Sequence, residues 1–209
     1  MRREEKNRQS RARIIDSALN EFSERGYGLS SINTICDGGN ISKGILYHYF
    51  SDKDELYLAC MKACFNQLVT YLQGNGVLEN GGVETRLQEY FDMRLAFFQE
   101  NPRFQKLFCE ALVAAPNHLV REIEEIKADF DTLNVRVLNG ILDQVELRPG
   151  ITKRDVVDIL RQYQDFINVQ DRRTADGLRM PDIAAREAHC RRAVDILLYG
   201  VVERTGAYR

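Results

Sequence analysis

The sequence predicts an all-α protein. Apolar residues recur at three- and four-residue intervals from residue 14 onward. No stretch alternates apolar and polar residues as a half-buried strand does, and Gly, Pro and Asn cluster at points that punctuate segments of helical length. With 209 residues, 44% apolar and 29% charged, the chain can bury a sizeable core.

Taken in order, Ile14, Ile15, Ala18, Leu19 and Phe22 make the stripe of a first helix that ends at Gly26. Ser30 is the expected N-cap of a short second helix that runs to Asp37 and buries Ile32 and Ile35. Gly38-Gly39-Asn40 breaks it, because these residues favour positive φ. Ser42 then caps a third short helix ending in Tyr47-His48-Tyr49-Phe50. Asp52 with Glu55 three residues on resembles a capping box and opens a long fourth helix. Its apolar residues Leu56, Cys60, Met61, Cys64, Phe65, Leu68, Tyr71 and Leu72 wrap too broadly for a surface helix, so it is expected to join two packed units. The glycines of 73–83 predict a loop. Helices follow over Glu84–Glu100, from Pro102 to the break at Ala115-Pro116-Asn117, over His118–Val145, over Lys153–Gln170 after a Thr152 cap, and from Asp182 to about Arg204. The total is about nine.

Composition narrows the function. A net charge of −2 argues against an indiscriminate polyanion binder, yet residues 1–50 carry eight Lys and Arg against six Asp and Glu, most of the positive ones within the first thirteen. A basic arm there can lie along phosphates. No apolar run approaches the roughly 18 residues that span a bilayer, and the polar, basic N-terminus is not a signal peptide. Five scattered cysteines suggest no disulfide framework, so a cytoplasmic setting is expected. Cys60 and Cys64, four apart, read as core thiols, and His118 and His189 stand isolated in sequence. No nucleophile elbow, phosphate loop, metal-ligand spacing or distinctive carboxylate pair is present, which predicts neither enzyme activity, nor a cofactor, nor a metal site.

Two short helices joined by a tight turn describe a helix-turn-helix, whose second helix presents its N-terminal residues to base edges in the major groove. Lys43 and Gly44 occupy that end. Lys43 can reach a phosphate or a guanine edge, Gly44 lets the backbone approach, and Ile45 offers methyl groups to a thymine methyl. Tyr47 and Tyr49 can donate hydroxyls to phosphates, and His48 is a further phosphate-side candidate, while Leu46 and Phe50 belong to the core. Ser31, Asn33, Thr34 and Ser42 complete the candidate interface.

Residues 11–58 resemble the DNA-binding domain of the TetR family of bacterial transcription regulators. The matching marks are Arg11, Ile14-Ile15, Ala18, Phe22, Gly26-Tyr27, Ser30-Ser31 and Ile35, then Ile41-Ser42-Lys43-Gly44, Leu46 to Phe50, Lys53 and Leu56. The turn departs from the family pattern: Asp37-Gly38-Gly39-Asn40-Ile41 stands where Ala-Ala-Gly-Val is frequent. Asn40 is expected to take the left-handed position, with Gly39 loosening the second helix by up to about 1 kcal/mol. The resemblance implies that Lys53 touches the DNA backbone. It also implies a palindromic double-stranded operator, a homodimer, and an unidentified small-molecule effector held by the helical body, with no membrane partner. Residues 1–53 would then read DNA and 54–209 would bind effector and dimerise.

The body offers weaker signals. The last helix is apolar almost all round, and Val156, Leu160, Tyr163 and Ile167 make a stripe on the helix before it, so these residues with Val194, Leu198 and Val202 are expected at a dimer interface. Phe65, Phe91, Phe98, Phe108, Phe130 and Tyr163 are the candidate pocket residues, together with Arg94, a cation placed inside an apolar stripe. Arg94 needs either a buried carboxylate or an acidic effector. A carrier that no longer binds DNA, and a regulator that uses the body as a protein interface, are the competing readings.

Overall fold

The computed structural model describes residues 2–75, 82–174 and 182–201. Nine α-helices and one short 3-10 turn account for the described elements: α1 Arg2–Leu29, α2 Ile32–Gly39, α3 Lys43–Tyr49, α4 Lys53–Gly74, α5 Val83–Glu100, α6 Pro102–Val113, the 3-10 turn Asn117–Leu119, α7 Val120–Leu142, α8 Lys153–Thr174 and α9 Ile183–Val201. The helix expected to end at Gln170 continues to Thr174, and the expected end of the last helix at Arg204 lies outside the described residues. None of these helices is long and apolar enough to cross a membrane.

Two compact units emerge, one from residues 1–67 with 101–127 and the other from residues 68–100 with 128–209. The chain passes from the first to the second within α4, as its all-round apolar pattern anticipates, and again within α7.

The first unit is built around α1. Ile14, Ala18 and Phe22 are buried on its stripe, as are Ile35 of α2, Leu46 of α3 and Tyr57 of α4; the Phe22 and Tyr57 rings meet edge to face at 5.0 Å. Each of the Ile, Leu and Phe side chains contributes about 1.5–3 kcal/mol by leaving water. Gly26 interrupts α1 with φ 69° and ψ 169°, and a Cβ there would lie 3.1 Å from Glu110 Oε1. That carboxylate accepts the Tyr27 N–H at 2.7 Å. The turn after the kink corrects one expectation. Ser31, not Ser30, caps α2: its hydroxyl accepts the Thr34 N–H at 3.1 Å, whereas the buried Ser30 hydroxyl donates to the Gly26 carbonyl at 2.5 Å. At α4, Asp52 Oδ1 accepts the Glu55 N–H at 2.8 Å and Glu55 reaches back one residue further, to the Ser51 N–H at 2.7 Å.

In the second unit α5 packs on α9 and α8 packs on α9. Tyr90, Phe91, Phe97 and Phe98 of α5 are buried, with Leu133, Val137, Leu138 and Ile141 of α7, Val156 of α8, and Val194 and Leu198 of α9. All five cysteines are buried, and none is in a disulfide. Burial pushes the Cys60 and Cys64 thiols far above the usual thiol range, in keeping with a packing role.

Candidate nucleic-acid interface

The geometry of α2 and α3 is set by α1. Asn40 takes the left-handed conformation, φ 48° and ψ 53°, the sole positive φ of a non-glycine among the described residues. Its N–H and that of Ile41 close onto the Asp37 and Cys36 carbonyls, at 3.2 and 2.9 Å, which terminates α2. Arg13 of α1 donates to the Gly39 and Asn40 carbonyls at 2.9 and 3.2 Å and so holds the turn against the first helix. Gly39 does more than loosen α2. A Cβ there would lie 2.9 Å from Ser17 Cβ and 2.5 Å from Ile41 Cδ1, so an alanine does not fit without movement.

Ser42 then caps α3, accepting the Ile45 N–H at 3.3 Å. On this seven-residue helix, Leu46 at 0% exposure and Phe50 just beyond it at 2% are core. The Arg11 guanidinium lies 5.2 Å from the Phe50 ring centre. Lys43, Gly44, Ile45, Tyr47 and His48 stand exposed, with Ile45 at 49% and Tyr47 at 51%. Two large apolar groups facing water on so short a helix are unfavourable unless something covers them. Gly44 sharpens the point. Its φ is ordinary and a Cβ there would touch nothing within 4 Å, so the fold itself does not require glycine, which weakens a helix by about 1 kcal/mol.

The remaining candidates divide by environment. Asn33 is exposed on α2, while Ser31 and Thr34 hydroxyls engage each other at 2.7 Å and are half-buried. The Tyr49 hydroxyl donates to Asn7 Oδ1 at 3.0 Å, which ties the end of α3 to the N-terminal turns of α1. Lys53 is engaged within the chain. Its ammonium donates to the Tyr27 and Ser30 carbonyls at 2.9 and 3.2 Å and lies 4.1 Å from the Tyr27 ring centre. It thus closes the C-terminal end of α1, where orphan carbonyls need donors.

Sequence reasoning missed the cluster behind this corner. Tyr27 donates a short hydrogen bond to Asp54 Oδ1, and His118 Nε2 lies 3.1 Å from Asp54 Oδ2 and 3.3 Å from the Tyr27 hydroxyl. Burial, reinforced by Asp54, raises the Tyr27 phenol to about 12. Burial also raises the Glu110 carboxyl, against the opposing Tyr27 N–H. His118 is therefore not isolated in space, and neither is His189, which stacks on Tyr163 at 5.9 Å and shares a short hydrogen bond with its hydroxyl.

In the second unit the structure sorts the other candidates. Arg94 pairs with Glu187 at 2.9 Å, both buried, so its carboxylate comes from α9. Tyr90, Phe91 and Phe130 rings surround the guanidinium with centres 5.6, 5.5 and 5.1 Å away. Burial pushes the Glu187 carboxyl up, opposed by Arg94. Beside this pair lies a cavity of about 30 Å³, lined by Phe91 and Arg94 with Leu87, Tyr90 and residues of α7, α8 and α9. Phe65 and Phe108 are not part of it; they belong to the first unit, where their rings pack at 5.6 Å. Phe98 is fully buried beside Phe97 at 5.4 Å.

The dimer candidates divide by burial within one chain. Val156, Val194 and Leu198 are 1%, 5% and 5% exposed within one chain, so they are core residues already covered; Val194 and Leu160 line the cavity. Tyr163 and Ile167 are half-buried, and Val202 lies outside the described residues. The apolar groups left open are Ile159, Phe166 and Val169 on α8 and Ile196 and Tyr199 on α9, between 43% and 71% exposed.

Residues 14–60 match the model of the bacterial regulatory proteins of the tetR family. The chain is 31% identical over 157 residues to the biofilm operon icaADBC HTH-type negative transcriptional regulator IcaR of Staphylococcus epidermidis, covering 75% of this chain and 76% of that one. The Staphylococcus aureus IcaR is 29% identical over 98 residues, 47% of this chain and 51% of that one. Among solved structures, the regulator FadR from Bacillus subtilis in complex with stearoyl-CoA superposes with a TM-score of 0.66 at 17% identity, over 90% of this chain and 98% of that one. A TetR-family regulator from Mesorhizobium loti gives 0.67 at 16% identity, over 94% and 98%. At these identities the structures bear on fold alone.

Proposed function

The chain belongs to the TetR family of bacterial regulatory proteins, and from that premise we propose that it is a homodimeric repressor released from its operator by a small molecule. The observation that carries the reading is the face of α3. Lys43, Gly44, Ile45, Tyr47 and His48 are exposed there while Leu46 and Phe50 anchor the helix from behind. In this reading Lys43 meets a phosphate or a guanine edge, Ile45 a thymine methyl, and Tyr47 a phosphate. Asn33, Ser31, Thr34, Ser42, His48 and Tyr49 flank them, and Lys53 positions the corner of α1 that supports α3 and uses its remaining N–H toward the backbone. Residues 1–53 form the reading head, and residues 54–209 hold the effector and the partner subunit.

Repression follows the relatives, whose names describe negative regulators. A two-fold operator needs two heads, and the open apolar groups Ile159, Phe166, Val169 and Ile196 supply a surface for the second copy. A cytoplasmic, non-enzymatic protein fits this role. Purified protein mixed with the DNA upstream of its own coding sequence should retard that DNA in a gel. Lys43→Ala and Tyr47→Ala should abolish the retardation without lowering the melting temperature. Retardation by both variants equal to that of the parent would overturn the assignment of α3.

A further inference from the structure

The first unit carries a cleft that the proposed operator face of α3 leaves out. About 440 Å³ in volume, it is bounded by α1, the C-terminal half of α4 and the start of α6, all within that unit. Small-molecule sites occupy roughly 300–1,000 Å³, so the space is of ligand size. Three arginines line it, Arg8 and Arg11 from α1 and Arg103 from α6, against one carboxylate, Asp16. Part of the lining is apolar, with Phe104 buried and Ile15 half-buried.

The three cations are committed to different degrees. Arg103 donates from Nη1 to Asp16 Oδ1 and Asn20 Oδ1, both at 2.8 Å. Its bonds all leave from that nitrogen, so the N–H groups of Nε and Nη2 stay available. Arg8 pairs with Glu5, which does not line the cleft, and the two side chains are 78% and 46% exposed. A pair so open to water is worth little, and an anion in the cleft can take Arg8 from it. Arg11 makes no side-chain hydrogen bond or ion pair with any described residue; its guanidinium lies over the Phe50 ring. Burial raises the Cys60 thiol, and Arg11 and Arg103 both oppose that rise, so charges from two helices are felt at one point of α4.

We propose that this cleft binds a phosphomonoester, a phosphate dianion on a small organic body. Three lining cations against one lining carboxylate leave an excess of two, which a dianion balances. Guanidinium groups present paired N–H donors that match phosphate oxygens, and donors arriving from two helices suit a tetrahedral group better than a planar carboxylate. The apolar lining suits the organic body, which a phosphate of the DNA backbone does not bring. Arg11 gives the site its consequence. The guanidinium offered to the ligand is also the one packed on Phe50, the residue that closes α3, so occupation of the cleft and the seating of α3 share a side chain. That consequence rests on the α3 reading above; the site itself is testable without DNA.

The probe is phenyl phosphate, with benzenesulfonate as its tetrahedral monoanionic match and benzyl alcohol as the uncharged one. The full chain is titrated by calorimetry at about 150 mM salt, which screens loose attraction, and at about pH 7.5, above the second phosphate ionisation near 6. Phenyl phosphate should bind saturably and the two matches at least roughly 10-fold more weakly. Arg11→Gln and Arg103→Gln should each weaken it roughly 10- to 100-fold, while Lys106→Gln, an exposed cation of α6 outside the cleft, should change nothing. No saturable binding, equal binding of benzenesulfonate, unchanged affinity in either folded arginine variant, or an equal loss in Lys106→Gln would overturn the proposal. If one arginine variant fails to fold, the other decides together with Lys106→Gln. Weaker DNA retardation by Arg11→Gln without phenyl phosphate binding assigns these arginines to the duplex backbone and also overturns it. Phenyl phosphate binding by a chain that retards no DNA keeps the site and sinks the α3 reading.

Discussion

The two units treat their buried polar groups in opposite ways. In the first, Glu110 accepts the Tyr27 N–H, Glu21 accepts the Ser31 N–H at 3.3 Å, Ser17 donates to the Ile35 carbonyl at 2.7 Å, and Lys53 closes two carbonyls at the end of α1. Each bond joins elements distant in sequence, and together they fix the turn that presents α3. Among the buried side-chain atoms of its described residues, only the Tyr57 hydroxyl lacks a hydrogen bond within geometric limits. In the second unit, Arg86 Nε, Arg94 Nε and Glu187 Oε2 are all buried without partners. A satisfied buried network rigidifies a core, while each buried polar atom left without a partner carries a cost. With one such atom in the first unit and three in the second, the second unit carries more of that cost.

The harshest test of that contrast is Glu187→Ala. Leaving Arg94 buried and alone should cost about 3–5 kcal/mol, whereas Arg94→Met combined with Glu187→Leu should recover most of the loss. Denaturant melts of the single and double variants check it, and a double variant as weak as the single one would break the comparison. Leu46→Ala, which empties a site at 0% exposure, should cost about 2–5 kcal/mol and abolish operator binding. Gly39→Ala should cost about 1–3 kcal/mol through its clash with Ser17, measurable by the same melts.

Alkali gives a further test. Burial raises the phenols of Tyr27 and Tyr90 from the ordinary 10.0 to about 12, with a lesser push from Asp54 on the first. Their contribution to stability is therefore complete below pH 10 and is lost as the pH climbs toward 12. Phenolate absorbance from these residues should appear only as the fold melts; ionisation near pH 10 in the native state would contradict their burial. The smallest effect is expected from Gly44→Ala, which should stabilise the chain by up to about 1 kcal/mol while weakening its hold on DNA. A gel titration alongside a melt separates the two.

Local signals carried most of the reading head. The Ser42 cap and the core role of Leu46 and Phe50 follow from spacing within a few residues and are found in place, whereas the break is narrower than expected: α2 runs on through Gly38 and Gly39, and Asn40 alone turns left-handed. The capping error between Ser30 and Ser31 arose because adjacent serines offer the same hydroxyl, and only the backbone angle tells them apart. Non-local pairings were illegible. Glu187 lies 93 residues from Arg94, His118 lies 64 from Asp54, and nothing in the sequence order joins them. A helix apolar all round has two apolar sides, and periodicity cannot say which is turned inward, so the buried Val194 and Leu198 could not be told from the exposed Ile196 and Tyr199.

The burial of every cysteine has a practical consequence. The folded protein should be silent to thiol reagents, so a cysteine engineered at an exposed position such as Asn33 or His48 would react alone. Fluorophores or photocrosslinkers attached there would report on operator contact without first rebuilding the native sequence to remove its five thiols.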